Sequence, residues 1–256
     1  MKDYHDTGLV AFIDILGTKE GSFIDLYKIM KIFHHEMISK NGKKTVCKKY
    51  TTSFSDCAYI IYTCVDINDS SFNIYLNDSL YDLSSLVAII NSNGYLCRGG
   101  ITYDKYYFEE NNRLIFGPAV NRAYELENKA VMPRIIIDEK IADNYFINEN
   151  KLISDDFLKL IRKDEYDNRF FLNYLYYLPF FEEDRYEDIC KEKIIIENNE
   201  YTFEEFFNVL EKYSNDTIEK ELKKEEKINY SIIAKHKWQL NYLNQHKEEL
   251  KGFFLE

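Results

Sequence analysis

Val10-Ala11-Phe12-Ile13-Asp14-Ile15-Leu16-Gly17-Thr18-Lys19 is an apolar, strand-like run that carries one acid in its middle and ends in a Gly-Thr-Lys turn. A charge inside such a run is costly to desolvate unless a cation or several donors meet it. A carboxylate on a strand, with the backbone N–H groups of the next turn close behind, suits a metal-bound phosphate. A second acid of this kind, Asp56, lies in Ser53-Phe54-Ser55-Asp56-Cys57-Ala58-Tyr59, which reads as strand, turn and strand. The expectation is that Asp14 and Asp56 meet across adjacent strands. There they would hold divalent metal ions on a nucleoside triphosphate.

Outward from that strand, Phe23, Leu26, Tyr27, Met30, Phe33 and Met37 recur at helical spacing, closed by Asn41-Gly42. Thr45 to Phe54 and Cys57 to Val65 read as paired strands. Leu80, Leu83, Val87 and Ile90 mark a second helix, stopped by Asn93-Gly94. A strand through Arg98-Gly99-Gly100-Ile101 follows, and Leu114-Ile115-Phe116 returns along it. Gly117-Pro118 then opens a helix, with proline at its tolerated first position, and Met132 to Asp138 forms a short strand. This order predicts an α+β sandwich with a mostly antiparallel sheet and helices on one face.

From about residue 140 the texture changes to an aromatic-rich, helical half. It contains the block Phe170 to Phe181, a capping box at Thr202-Phe203-Glu204-Glu205, and a charge run from Glu219 to Lys227 that reads as a solvated helix face. Residues 1–140 are therefore expected to form the functional unit. Residues 141–256 are expected to form a helical extension packed on it.

Composition narrows the function. The 256 residues are 45% hydrophobic and 16% aromatic, enough for a real core. The formal charge of -11 argues against long-range attraction to nucleic acid or anionic lipid. The sequence lacks an uninterrupted apolar span, and the expected location is the cytoplasm, with no membrane partner. Cys47, Cys57, Cys64, Cys97 and Cys190 lack metal-ligand spacing and read as reduced, mainly core, thiols.

Phe12-Ile13-Asp14-Ile15-Leu16-Gly17, the Ser55-Asp56 hairpin, Arg98-Gly99-Gly100-Ile101 and Gly117-Pro118-Ala119-Val120-Asn121-Arg122-Ala123 fall in the order of the class III nucleotidyl cyclase domain, which residues 8–138 resemble. The wording Ser53-Phe54-Ser55-Asp56, Phe116 to Glu127 and Met132-Pro133-Arg134-Ile135 resembles the pyrimidine cyclases of Pycsar anti-phage systems. Lys237-Trp238 and Tyr242-Leu243-Asn244 are similar to their tail. The resemblance implies a ferredoxin-like core and a homodimer with composite active sites. It implies cyclisation of UTP, or next CTP, to the 3′,5′-cyclic nucleotide and pyrophosphate. The messenger would act on a membrane or TIR effector without a stable complex.

By the same resemblance Asp14 and Asp56, with the Ile15 carbonyl, would hold two Mg²⁺ or Mn²⁺ ions. Leu16, Gly17 and Thr18 would cradle the β- and γ-phosphates. Asn121 would orient the ribose from the partner subunit, and Arg98 would serve phosphate or structure. Two positions that read adenine in adenylate cyclases are Thr52 and Leu114 here, which cannot make the same contacts. The family's transition-state arginine is replaced by Glu125, so this acid must point away or pair with a base, and Arg98, Arg113 and Arg122 are candidates to supply the missing charge. The alternative is a catalytically inactive cyclase fold acting as a nucleotide sensor or dimerisation module.

Overall fold

In the computed structural model, residues 5–18, 22–35, 37, 47–64, 69–109, 114–148, 159–177, 193–196, 199–225 and 227–255 are described. The first part of the chain runs β1 (His5–Leu16), α1 (Phe23–Phe33), β2 (Cys47–Phe54), β3 (Cys57–Cys64), α2 (Asp69–Ser92), β4 (Leu96–Glu109) and β5 (Leu114–Phe116). It continues through α3 (Pro118–Lys129), β6 (Ile135–Ile137), α4 (Glu139–Asn148), β7 (Ile161–Lys163) and β8 (Phe170–Leu172). A hairpin of β9 (Lys193–Ile196) and β10 (Asn199–Thr202) leads into α5 (Phe203–Leu222) and α6 (Tyr230–Leu255). The fold is α+β.

The main sheet has eight strands in the order β2-β3-β1-β4-β6-β8-β7, with β5 added along β4. Only the β4–β6 pairing is parallel among the described residues; β1 is antiparallel to both β3 and β4. The carrier of Asp14 is thus the central strand of the first half, paired on both sides.

That position explains why β1 is apolar at both parities, because successive strand residues point to opposite faces. Leu9, Ala11, Ile13 and Ile15 enter one core with Ile29, Ile32 and Phe33 of α1 and Leu80, Leu83 and Val87 of α2. Val10 and Phe12 enter a second core with Ala119, Val120 and Ala123 of α3. Helices therefore cover both faces of the sheet, not one. The physical reason is the unbroken apolar run of β1, which leaves no face suited to water.

One helix also differs in part from its sequence reading. In α1 the buried side chains are Ile29, Ile32 and Phe33, while Phe23 and Tyr27 face solvent at 85% and 59% exposure. Leu26, Met30, Phe33 and Met37 of the expected stripe do pack against the core, so the stripe holds except at Phe23 and Tyr27, and Ile29 and Ile32 join it. By contrast, Leu80, Leu83, Val87 and Ile90 of α2 are buried as their spacing predicts. Asp82, fully buried in α2, is met by Lys49 at 3.0 Å and by the Tyr62 hydroxyl at 2.5 Å, so its charge is compensated.

The half after residue 140 is not purely helical. β8 and β7 extend the main sheet beyond β6, through Ile136 opposite Phe171 and Arg162 opposite Phe171. Phe206, Phe207 and Leu210 of α5 and Tyr242, Leu243 and Leu250 of α6 join the core that holds Leu9 and Ile13. Trp238 lies edge-on to Phe171 and donates its indole N–H to Asp164 Oδ2 at 3.2 Å. Asp164 and Asp167 also receive Arg134, next to β6. The capping box is present: Thr202 and Glu205 exchange hydrogen bonds at the start of α5. Among the described residues no helix is long and apolar enough to cross a membrane. Arg113 and the last part of the aromatic block, residues 178–181, lie outside the described residues.

Candidate active site

Asp14 and Asp56 line one cavity. The sequence brings them there through the register of β1 and β3, in which Asp14 stands opposite Cys57, the residue after Asp56. The two-residue turn Ser55-Asp56 requires a left-handed backbone at its first position, and Ser55 supplies it at φ 54°. A non-glycine residue pays about 1–2 kcal/mol for that conformation. The turn is then fixed to β1 by the Ile15 N–H, which donates to the Asp56 carbonyl at 2.9 Å.

The cavity, of about 760 Å³, is walled on one side by Ile15, Leu16, Gly17 and Thr18 at the end of β1. Gly17 has φ +82°, with open space where a side chain would be, so glycine is needed there for the turn itself rather than for close packing. Thr18 closes the turn by donating its hydroxyl to Asp56 Oδ2 at 2.6 Å. Of the residues expected to hold metal or phosphate, Asp14, Ile15, Asp56, Leu16, Gly17, Thr18 and Arg98 all line this cavity.

Arg98 arrives from β4, directly opposite Asp14 in the register. Its Nε lies 3.4 Å from Asp14 Oδ2 and 2.6 Å from Glu127 Oε1 of α3. The second contact is a charge pair without hydrogen-bond alignment, since no donor is aimed at Glu127 Oε1. Glu127, the last residue of the Phe116 to Glu127 stretch, is 3% exposed, and the sequence alone does not single it out.

The electrostatics follow from crowding. Burial raises the Asp14 pKa above the usual carboxylate value; Arg98 opposes this and Asp56 adds to it. Burial and then the charges of Asp14, Asp56 and Glu127 push the Cys57 thiol up to about 12, which leaves it protonated and unreactive. Cys47, Cys57 and Cys97 are all buried free thiols, as expected from sequence.

The opposite wall comes from the second half of the chain. Lys220 and Glu221 of α5 and Lys235 and His236 of α6 line the same cavity. The charge run from Glu219 is thus not wholly a solvated face. Glu221 is buried, accepts the Asn229 N–H at 2.7 Å and pairs with Lys224 at 2.7 Å. Burial, and next Lys235, lower the His236 pKa to about 4, so this ring is neutral near pH 7. No sequence pattern places these side chains at the site, because their arrival depends on how α5 and α6 fold back.

Three expected residues stand elsewhere. Asn121 is exposed in the first turns of α3, and Leu114 is 48% exposed on β5. Thr52 is half-buried on β2 opposite Tyr59, with its hydroxyl unpartnered. None of the three lines the cavity. Glu125 is exposed and paired with Arg122 at 3.6 Å, and Arg122 is held by Asp138 at 2.7 Å. Of the described arginine candidates, only Arg98 lines the cavity.

Among the described residues no group of three or more His, Cys, Asp or Glu side chains forms a ready metal cage. Two carboxylates facing one cavity are instead the donor set that suits Mg²⁺ or Mn²⁺, which complete their coordination with water and substrate phosphate. No protein-family model matches the chain, and no curated protein matches it.

Proposed function

We propose that the protein is a metal-dependent cyclase acting on a pyrimidine ribonucleoside triphosphate, UTP before CTP, within a class III nucleotidyl cyclase fold. The observation that carries this reading is the convergence of Asp14 and Asp56 on one cavity behind the Gly17-Thr18 turn. The α+β sheet with β1 at its centre, and the resemblance of the four motifs, support it.

In this reading Asp14 and Asp56 hold the metal ions, and Thr18 fixes the orientation of the Asp56 carboxylate. Bound Mg²⁺ or Mn²⁺ would acidify the ribose 3′-hydroxyl and neutralise the triphosphate. The 3′-oxygen attacks the α-phosphorus, the bond to the bridging oxygen breaks, and pyrophosphate leaves. The exposed position of Asn121 suits a role on a second copy of the chain, as a composite homodimer site requires. The phosphates lie in the cavity. The base lies toward Thr52, on the face of the sheet that carries Phe12 and Tyr59. The proposed biological setting is anti-phage signalling through cyclic UMP or cyclic CMP.

The direct test is incubation of purified protein with each of the four labelled ribonucleoside triphosphates and Mn²⁺. A cyclic pyrimidine product that disappears in Asp56→Ala supports the reading; unaltered product in that variant removes the metal assignment. The alternative, a nucleotide sensor without turnover, is favoured by Arg98 beside Asp14 and by Glu125 in place of the family's arginine. Calorimetry showing nucleotide binding without product would select it.

A further inference from the structure

The second half of the chain supplies a charge to the candidate site that the resemblance does not account for. Lys235 of α6 is half-buried in the cavity wall, and its charge acts on both Asp14 and Arg98. Among the described residues it forms no ion pair. An ammonium group withdrawn from water and set near a guanidinium is unfavourable unless an anion arrives to share it. The anions at hand are Asp14, which already shares Arg98, and Glu221, which is held by Lys224 and the Asn229 N–H. Neither forms an ion pair with Lys235 among the described residues.

The ligand chemistry follows from what else the cavity presents. The acids Asp14 and Asp56 select a metal-bound group, and the Gly17-Thr18 turn offers backbone N–H groups of the kind that receive phosphate. A volume of about 760 Å³ is roomy for a metal-bound polyphosphate. The residues expected to meet the base, Thr52 and Leu114, lie outside it. The cavity is therefore the phosphate end of the site.

We infer that Lys235 is a phosphate-binding residue, reaching from α6 into the cavity to hold the terminal phosphates of a metal-bound triphosphate. The inference rests on the nucleotide reading of the same cavity, and it adds that the tail half of the same chain supplies part of the phosphate end of the site. It gives the departing pyrophosphate a cationic partner distinct from Arg98. It also makes the α5–α6 pair part of the binding machinery rather than a cover.

The test is binding of inorganic tripolyphosphate with Mn²⁺ to the full chain, measured by calorimetry, so that the readout does not depend on turnover. Lys235→Ala should weaken binding about tenfold or more, the loss of one charge-assisted contact. Lys235→Arg should retain most of it. Lys237→Ala, on the same helix but exposed and away from the cavity, should bind like the unaltered protein. Thermal unfolding of each variant checks that α6 stays docked. If alanine unfolds the tail, Lys235→Met, which keeps the apolar stem and removes the charge, carries the test and should weaken binding to the same extent, unchanged binding overturning the inference. Unchanged binding in folded Lys235→Ala, or no tripolyphosphate binding by the unaltered chain, overturns the inference. A failure of the cyclase reading is seen separately, as absent product from all four triphosphates with tripolyphosphate binding intact.

Discussion

Glu127 holds the Arg98 guanidinium nitrogen at 2.6 Å, closer than the 3.4 Å at which that nitrogen reaches Asp14. The arrangement divides one positive charge between two acids and leaves Asp14 incompletely neutralised. An acid in that condition can still accept a divalent cation.

The first prediction concerns this division. Glu127→Gln removes the competing charge, so Arg98 should shift toward Asp14 and occupy the position a metal ion needs. Mn²⁺ affinity, read by calorimetry with a non-hydrolysable nucleotide, should fall by about tenfold, the order expected for one partly buried charge contact. Unchanged or improved affinity would show that Glu127 is only a packing acid.

Thr18 offers a second, finer test. Its hydroxyl is the hydrogen-bond partner of Asp56 Oδ2 at 2.6 Å. Thr18→Val keeps the shape and removes the donor, at a cost of about 1–2 kcal/mol to the carboxylate's orientation. The expected readout is a raised Mn²⁺ requirement with little change in thermal midpoint, whereas Thr18→Ser should behave like the unaltered protein.

The third prediction tests how the site is built. A Cβ at Gly100 would lie 2.3 Å from the Ala123 carbonyl oxygen and 2.4 Å from Leu126 Cβ. Neither α3 backbone nor core can yield that far cheaply. Gly100→Ala should therefore destabilise the fold by about 3 kcal/mol in chemical unfolding. It should also displace Glu127 and lower metal affinity.

The pH dependence of stability gives a fourth. His246 is buried beside Phe207 and Tyr242, with Arg162 near, and its pKa falls from 6.5 to about 3; that of His236 falls to about 4. Between those values and 6.5 the unfolded chain binds more protons than the folded one. Stability contributed by the neutral rings is complete above about pH 6.5 and is lost as pH falls below it, by up to about 1.4 kcal/mol per pH unit for each ring. His246→Gln should flatten the slope of unfolding free energy between about pH 6.5 and about pH 4. An unaltered slope would assign the acid sensitivity to other groups.

Much of the first half was legible in sequence because its information is local. The parity of β1, the glycine at 17, the proline at 118 and the Ser55-Asp56 turn each state their geometry within a few residues. The antiparallel register then puts Arg98 opposite Asp14 without further input. What could not be read depends on long-range docking. Lys220 and Lys235 look like ordinary surface charges until α5 and α6 fold back on β1. Glu127 shares its motif with the exposed Glu125, and only the docking of α3 onto Gly100 decides which of the two acids turns inward.

The continuation of the sheet from β6 into β8 and β7 has a practical consequence. A chain cut after residue 140 would leave the outer edge of β6 bare, with Ile135, Ile136 and Ile137 ready to template another strand. Such a fragment should clump rather than dissolve. Anyone seeking a minimal working version of this protein will have to shorten its loops, not discard its second half.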